Sequence, residues 1–458
     1  MFRTFLRREL QETVTGFTLL SAIVALSILV PLSAYIQARY YRHVVGDYAV
    51  RQSIHQSENS AQSIVLIRPT PPLAPFFSGT YDILPDEFRL QNDSATANTP
   101  SGDITPLDWL FPKIDLSFII GVLMTLLTIL LAHSAITGDR ERGTLKLILA
   151  GPVRRRTVLA AKLTGVILPT GAVLVYVILL YAIVAAGFSE GTIDLSGAIL
   201  SALIIFMLVA LIVLIITAAL GIAVSASIKR SSISLFACAS IWIVIILIWP
   251  TFGPYMASSS KPVAPPEAFQ RDLISKEKEL IQAEIAEHRK TAADLKAQQA
   301  GVEVAWQRYL ELRRRWIERR NKEIGRLVGE RKGQLRNQRA FARRISLLSP
   351  YVAFKEVLGS LCGTGLESYD EFLAAVELYK QQEFIPKGLD LRSRQKPWLN
   401  AANPEAPLQL PPLQAPSPTL SQRLTAAVWP LSILTAEMII LTMLGVFSFE
   451  RYAVRRSS

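Results

Sequence analysis

Few residues in this chain are spaced for covalent, redox or metal chemistry. The four histidines and two cysteines, Cys238 and Cys362, lack the clustered spacing that holds a metal, and no Ser, His and acid grouping reads as a hydrolase. No GxxxxGK[ST] loop occurs, so nucleotide hydrolysis by this chain alone is not expected. Three groups of charged residues remain. The stretch from Gly138 to Arg156 places Asp139, Glu141 and six basic residues around Gly143 and Gly151-Pro152. Glu437 stands inside an otherwise apolar run, where an ionised carboxylate is costly; such a group serves a cation or proton step, or hydrogen-bonds a neighbouring helix. Arg313-Arg314-Arg315 with Arg319-Arg320 reads as a landing surface for acidic lipid headgroups, an acidic polymer or an acidic partner. The reading the sequence favours is a solvated face whose bases pair with nearby Glu residues.

The elements that position these groups follow from composition. Of 458 residues, 50% are hydrophobic and only 19% charged, yet the net charge is +12. A water-solvated globular protein needs more charge to cover its surface, so part of this chain is solvated by lipid. Uncharged runs extend over Thr13 to Ala38, Leu116 to Gly138, Leu163 to Ser189, Leu195 to Ile228 and Ser231 to Ser260; a sixth, Leu424 to Phe449, is broken only by Glu437. Each exceeds the roughly 20 apolar residues that carry a helix across the hydrocarbon. The expected spans are 13–38, 114–137, 160–188, 196–226, 232–253 and 425–449. Glu9 and Glu12 before the first run, and the lack of a small residue at the right place in Leu32-Ser33-Ala34, favour a retained helix over a cleaved signal.

Basic residues set the orientation. With both termini in the cytoplasm, the inner segments hold fifteen Lys and Arg against five acids, while the short loop Glu190 to Asp194 has two acids and no base. Residues 1–12 put Phe2, Phe5, Leu6 and Leu10 on one helical face and Arg3, Arg7, Arg8 and Glu9 largely on the other, the pattern of an elbow helix in the membrane interface. Residues 138–159 form an inner loop and 450–458 an inner tail. Segments 39–113 and 254–424 lie outside. The first is rich in Pro and polar residues, with a short strand expected at Ser63 to Ile67. The second opens with a proline-free stretch, 267–345, where Leu295, Val302, Tyr309 and Trp316, and then Leu310, Ile317 and Ile324, recur at seven-residue intervals. That repeat predicts long helices paired like a coiled coil, with Gly301, Gly325, Gly329 and Gly333 as points where they break or turn back. Nucleic acid is not an expected partner on this side. The fold class is therefore a mainly α membrane protein with six spans and a large helical outer domain containing a coiled-coil-like hairpin.

In the loop between the second and third spans, Gly143 lets the span end, and Thr144 is placed to cap a short helix whose Leu145, Ile148 and Leu149 form an apolar face. Gly151-Pro152 ends that helix after about two turns. A short helix with one apolar side and flanking charges suits a groove on another protein. This stretch resembles the coupling-helix region of ABC-2 type permeases, the membrane subunits of one class of ATP-binding-cassette transporters. Asp139, Glu141, Gly143, Thr144, Leu145, Pro152, Arg155 and Lys162 occupy the family's pattern, with Asp139 where Glu is usual and Ala161 before Lys162 where Gly is common. The resemblance covers the elbow, the six spans and this loop; Leu348-Ser349-Pro350 and Gly363-Thr364-Gly365 look like a bacterial subgroup with an extended outer domain.

The resemblance implies a permease of an exporter in a bacterial inner membrane, itself not an enzyme and binding no cofactor. A separate ATPase subunit uses ATP, and a second permease copy or paralogue completes the bundle. It further implies that Asp139 and Glu141 meet basic groups of the ATPase groove while Leu145 and Ile148 meet its apolar floor. Two alternatives stay open: a relay that passes ATPase-driven motion to a periplasmic partner without moving substrate, and a membrane-anchored scaffold with no ATPase.

Overall fold

The computed structural model describes residues 2–58, 63–91, 113–150, 154–193, 197–297, 299, 301–387, 411–416 and 418–454. Helix α1 (Phe2–Val14) is separated by Thr15-Gly16 from α2 (Phe17–Glu58). Strands β1 (Ser63–Ile67) and β2 (Glu87–Gln91) pair antiparallel, with Ser63 opposite Gln91 and Ile67 opposite Glu87. The second span runs through α3 (Leu116–Phe118), a π-helical stretch Ile119–Met124 and α4 (Thr125–Ala132), then breaks at 133–136 before α5 (Thr137–Glu141). There follow α6 (Thr144–Ala150), α7 (Arg155–Phe188), α8 (Gly197–Ser227), α9 (Ser231–Ile243) and α10 (Trp249–Ser260), the last two joined by a π-helical stretch. Helices α11 (Pro266–Ala297), α12 (Val302–Ser346), α13 (Pro350–Cys362) and α14 (Leu366–Tyr379) precede the final α15 (Leu420–Val454).

Among the described residues, six helical stretches are long and apolar enough to cross a membrane: Phe17–Ile54, Leu116–Glu141, Arg155–Phe188, Ile199–Ser227, Ser231–Ser260 and Leu420–Glu450. The first outlasts its apolar run. At 1.5 Å per residue α2 is ~60 Å long, about twice the hydrocarbon thickness. Its polar half is held by Arg51 on Asp86 at 2.8 Å and by Arg42 on Glu190. Pro31, Pro169 and Pro430 all lie inside helices.

The two segments flanking the bundle share a core. Ile64, Phe88 and Leu90 of the strands pack on Phe372, Val376 and Phe384. The connection between the strands inserts Phe76 and Phe77 among bundle residues, and Tyr181 Oη donates to the Pro75 carbonyl at 2.7 Å. Helices α11 and α12 form a hairpin around Leu280, Leu312, Trp316 and Ile324. The seam is tightest there and loosens towards the tip, where Val302 is exposed. The chain turns back at Gly301, whereas Gly325, Gly329 and Gly333 continue inside α12. A helical glycine costs only about 1 kcal/mol, which the flanking helix-forming residues absorb. Helix α12 returns to α10, where Gly253 admits the Ser346 side chain: a Cβ at Gly253 would stand 2.0 Å from Ser346 Oγ.

Candidate functional site

The site grows from the break after α4. Ile136 and Thr137 donate their backbone N–H groups to Ser225 Oγ, both at 3.1 Å, so a hydroxyl near the end of α8 caps α5. Helix α5 has only five residues, and consecutive side chains reach different parts of the bundle. Arg140 donates to the carbonyls of Ala226 and Ile228 at the C-terminal end of α8. Glu141 Oε1 accepts from the backbone N–H of Ser231, the first residue of α9, at 2.8 Å. A cation at one helix's C-terminus and an anion at the next helix's N-terminus both favour the local dipole. Together they clamp the turn between the fourth and fifth spans.

Asp139 points the other way. It is 1% exposed, and its Oδ2 lies 2.5 Å from Lys162 Nζ of α7, itself 3% exposed. Its Oδ1 takes Arg142 at 3.2 Å and the Thr144 hydroxyl at 3.0 Å. Lys162 also holds Glu9 of α1 at 2.9 Å, and Arg142 holds Glu12 at 3.2 Å. Burial raises the Glu9 carboxyl above its ordinary value, with Lys162 opposing the shift. Gly165 permits this docking of α1, because a Cβ there would lie 2.7 Å from Glu9 Cβ. The elbow, the third span and α5 thus share one buried ionic cluster.

Gly143 follows with φ +74°, the left-handed conformation that L side chains rarely adopt, and it ends α5. Helix α6 then lies with Leu145, 3% exposed, in an apolar cluster with Val158, Ile222, Ala226 and Phe449. Ile148 and Leu149 pack at its margin. The outward face carries Glu141, Arg142, Gly143, Lys146, Leu147 and Ala150, with Leu147 76% exposed.

Several expectations are corrected by this geometry. Asp139 faces the bundle, where Lys162 stands beneath it, and not the outward face on which an ATPase contact was expected. Leu145 is turned into the bundle, and Leu147, which sequence reasoning passed over, is the exposed apolar residue of α6. Thr144 does not cap α6; its hydroxyl donates back to Asp139. Glu9 packs on α7 instead of lying on the solvent face of α1. Arg155 begins α7 and is exposed, and Pro152 lies outside the described residues.

The other two charged groups stand apart from this site. Glu437 Oε2 is buried with no hydrogen-bond partner among the described residues, about 18 Å along α15 from Phe449. In the basic run, Arg314 pairs with Glu318, Arg315 with Glu311 at 2.6 Å, and Arg313 donates to Tyr309 Oη. Arg319 lies over the Trp316 ring. Arg320 departs from the expected basic surface: it is buried against Glu284 of α11 at 3.2 Å. These bases are largely matched within the hairpin itself. No group of three or more His, Cys, Asp or Glu residues suited to a metal occurs among the described residues.

The family described as ABC-2 family transporter protein matches residues 6–454, nearly the whole chain. No curated protein sequence matches it.

Proposed function

The chain belongs to the ABC-2 transporter family, as a membrane permease of an ABC transporter whose ATPase is a separate subunit, and from that premise we propose that α5 and α6 are its coupling element. The observation that carries this reading is the reach of α5: three successive residues, Asp139, Arg140 and Glu141, bind the third span, the end of the fourth and the start of the fifth. A displacement of α6 by a partner is then felt by all three spans and, through Lys162 and Glu9, by the elbow. The outward face of α6, with Leu147 between Lys146, Arg142 and Glu141, is the surface that meets the ATPase. Asp139 and Leu145 act as its internal mount.

A second copy in the membrane is favoured by apolar side chains left exposed along the fifth span, such as Phe236, Val244, Leu247 and Phe252. The charge distribution of the loops favours the orientation with the α11 to α12 hairpin outside, and export from a bacterial inner membrane is what the family resemblance implies. The relay alternative draws its support from α12, one continuous 45-residue helix between the hairpin tip and α10. Replacing Glu141 by Gln together with Gly143 by Val is expected to abolish communication with the ATPase while leaving membrane insertion intact. Unchanged ATP-driven transport by that variant would reject the assignment.

A further inference from the structure

Where α10, α12, α13 and α15 meet the connection between β1 and β2, the protein encloses a cleft of about 900 Å3. Ligand pockets commonly occupy about 300–1,000 Å3, so there is room for a sizeable molecule. Its walls differ in chemistry. Pro250 and Pro254 of α10, Phe77 and Ile83 of the strand connection and Trp429 of α15 make an apolar and aromatic side. The opposite side carries five basic and three acidic side chains. Those charges do not cancel. Arg343 takes Glu356 at 2.9 Å and Glu367 at 3.0 Å, and Arg339 takes Asp370 at 3.3 Å, which uses all three carboxylates. Arg336 and Arg344 are exposed with no ion-pair partner among the described residues; Lys355, also exposed, has its Nζ 5.6 Å from the centre of the Tyr351 ring and attracts Asp115 from a distance, and Arg343 Nε is buried without a hydrogen bond.

The cleft also sits at an end of the spans. Helix α10 closes the fifth, and Trp429 lies within the sixth, nine residues after it begins. Trp429 and Tyr255 are exposed, as aromatic residues are at a bilayer boundary. A free anion would leave the apolar wall unused, and a neutral amphiphile would leave three cations unused. We propose that this cleft binds an anionic phospholipid from the adjoining leaflet, its phosphate on Arg336, Arg344 and Lys355 and an acyl chain along Pro250, Pro254 and Trp429. The site goes beyond the transport reading and does not depend on the ATPase.

The test uses the full chain in a neutral detergent, titrated with phosphatidylglycerol, phosphatidylcholine or inorganic phosphate, with bound lipid counted by native mass spectrometry. Phosphatidylglycerol is expected to bind in preference to phosphatidylcholine. The triple variant Arg336→Gln, Arg344→Gln, Lys355→Gln weakens phosphatidylglycerol about tenfold and leaves phosphatidylcholine unchanged. Val352→Trp, which narrows the cleft without changing charge, also lowers occupancy. Arg314→Gln with Arg315→Gln, on the internally paired stretch of the same helix, keeps wild-type binding. Wild-type retention by the triple variant overturns the proposal. So does an equal loss in the Arg314 and Arg315 control, which would mean charge attraction alone, or displacement of lipid by equimolar inorganic phosphate, which would mean a soluble-anion site. Should the triple variant aggregate, Lys355→Gln alone, expected to cost about threefold, and Val352→Trp decide the matter by the same readout.

Discussion

Lys162→Met isolates the buried ionic cluster. Methionine preserves much of the side-chain length, so the change removes a charge without opening a large void. It leaves Asp139, 1% exposed, with Arg142, the Thr144 hydroxyl and the more distant Arg8, and it removes the ion-pair partner of Glu9. Removing one member of a buried pair costs about 3–5 kcal/mol, because the partner's charge stays desolvated. Glu9 is 15% exposed in its side chain and already shifted towards its protonated form, so it relieves its share by taking a proton or turning to water. Most of the penalty therefore falls on Asp139. The double variant Lys162→Met, Asp139→Asn removes the stranded charge, and contacting residues couple by about 0.5–3 kcal/mol. It should be more stable than the sum of its single variants by an amount in that range. Thermal unfolding in detergent measures both quantities. Wild-type stability of Lys162→Met, or strict additivity in the double variant, would refute the cluster as a charge-coupled unit.

Gly143→Val forces a β-branched residue to φ +74° and should cost at least about 1–2 kcal/mol locally, with Gly143→Asn milder; amide exchange across α6 reports it. Leu145→Ala should lower overall stability by about 2–5 kcal/mol by opening a cavity under α6, read by thermal unfolding, while Leu147→Ala should leave stability unchanged. Burial raises the Glu9 carboxyl above 4.5, so the folded form keeps a proton in the window just above that pH which the unfolded chain has lost. Stability contributed by Glu9 is therefore greatest at low pH and declines as pH rises through that window. The Glu9→Gln variant should lack this decline when its unfolding profile is compared with wild type; parallel profiles would contradict it.

The spans were legible because length without charge is a sufficient signal for a helix in hydrocarbon. The strand Ser63–Ile67 and the left-handed turn at Gly143 were likewise readable from local sequence. The facing of α6 was not. A glycine with positive φ resets the helical phase, so spacing within Thr144 to Ala150 cannot tell whether Leu145 or Leu147 turns inward; Val158, Ile222 and Phe449 decide it from distant parts of the chain. Glu9 and Asp139 were misplaced for a related reason, since their shared partner Lys162 is remote in sequence from Glu9 and becomes visible only once α1, α5 and α7 meet. In the basic run, local i,i+4 pairing of Arg315 with Glu311 and Arg314 with Glu318 was foreseeable, but the burial of Arg320 required the α11 to α12 hairpin.

The role of α6 is decided by ATP hydrolysis in membranes holding this permease together with its ATP-binding subunit, comparing wild type with Leu147→Asp. Leu147 is 76% exposed, so the charge is tolerated in the isolated permease and its thermal stability should be unchanged. If α6 is the coupling surface, the variant loses the permease-dependent change in hydrolysis and no longer co-purifies with the ATP-binding subunit. A stable Leu147→Asp permease that retains both would contradict it.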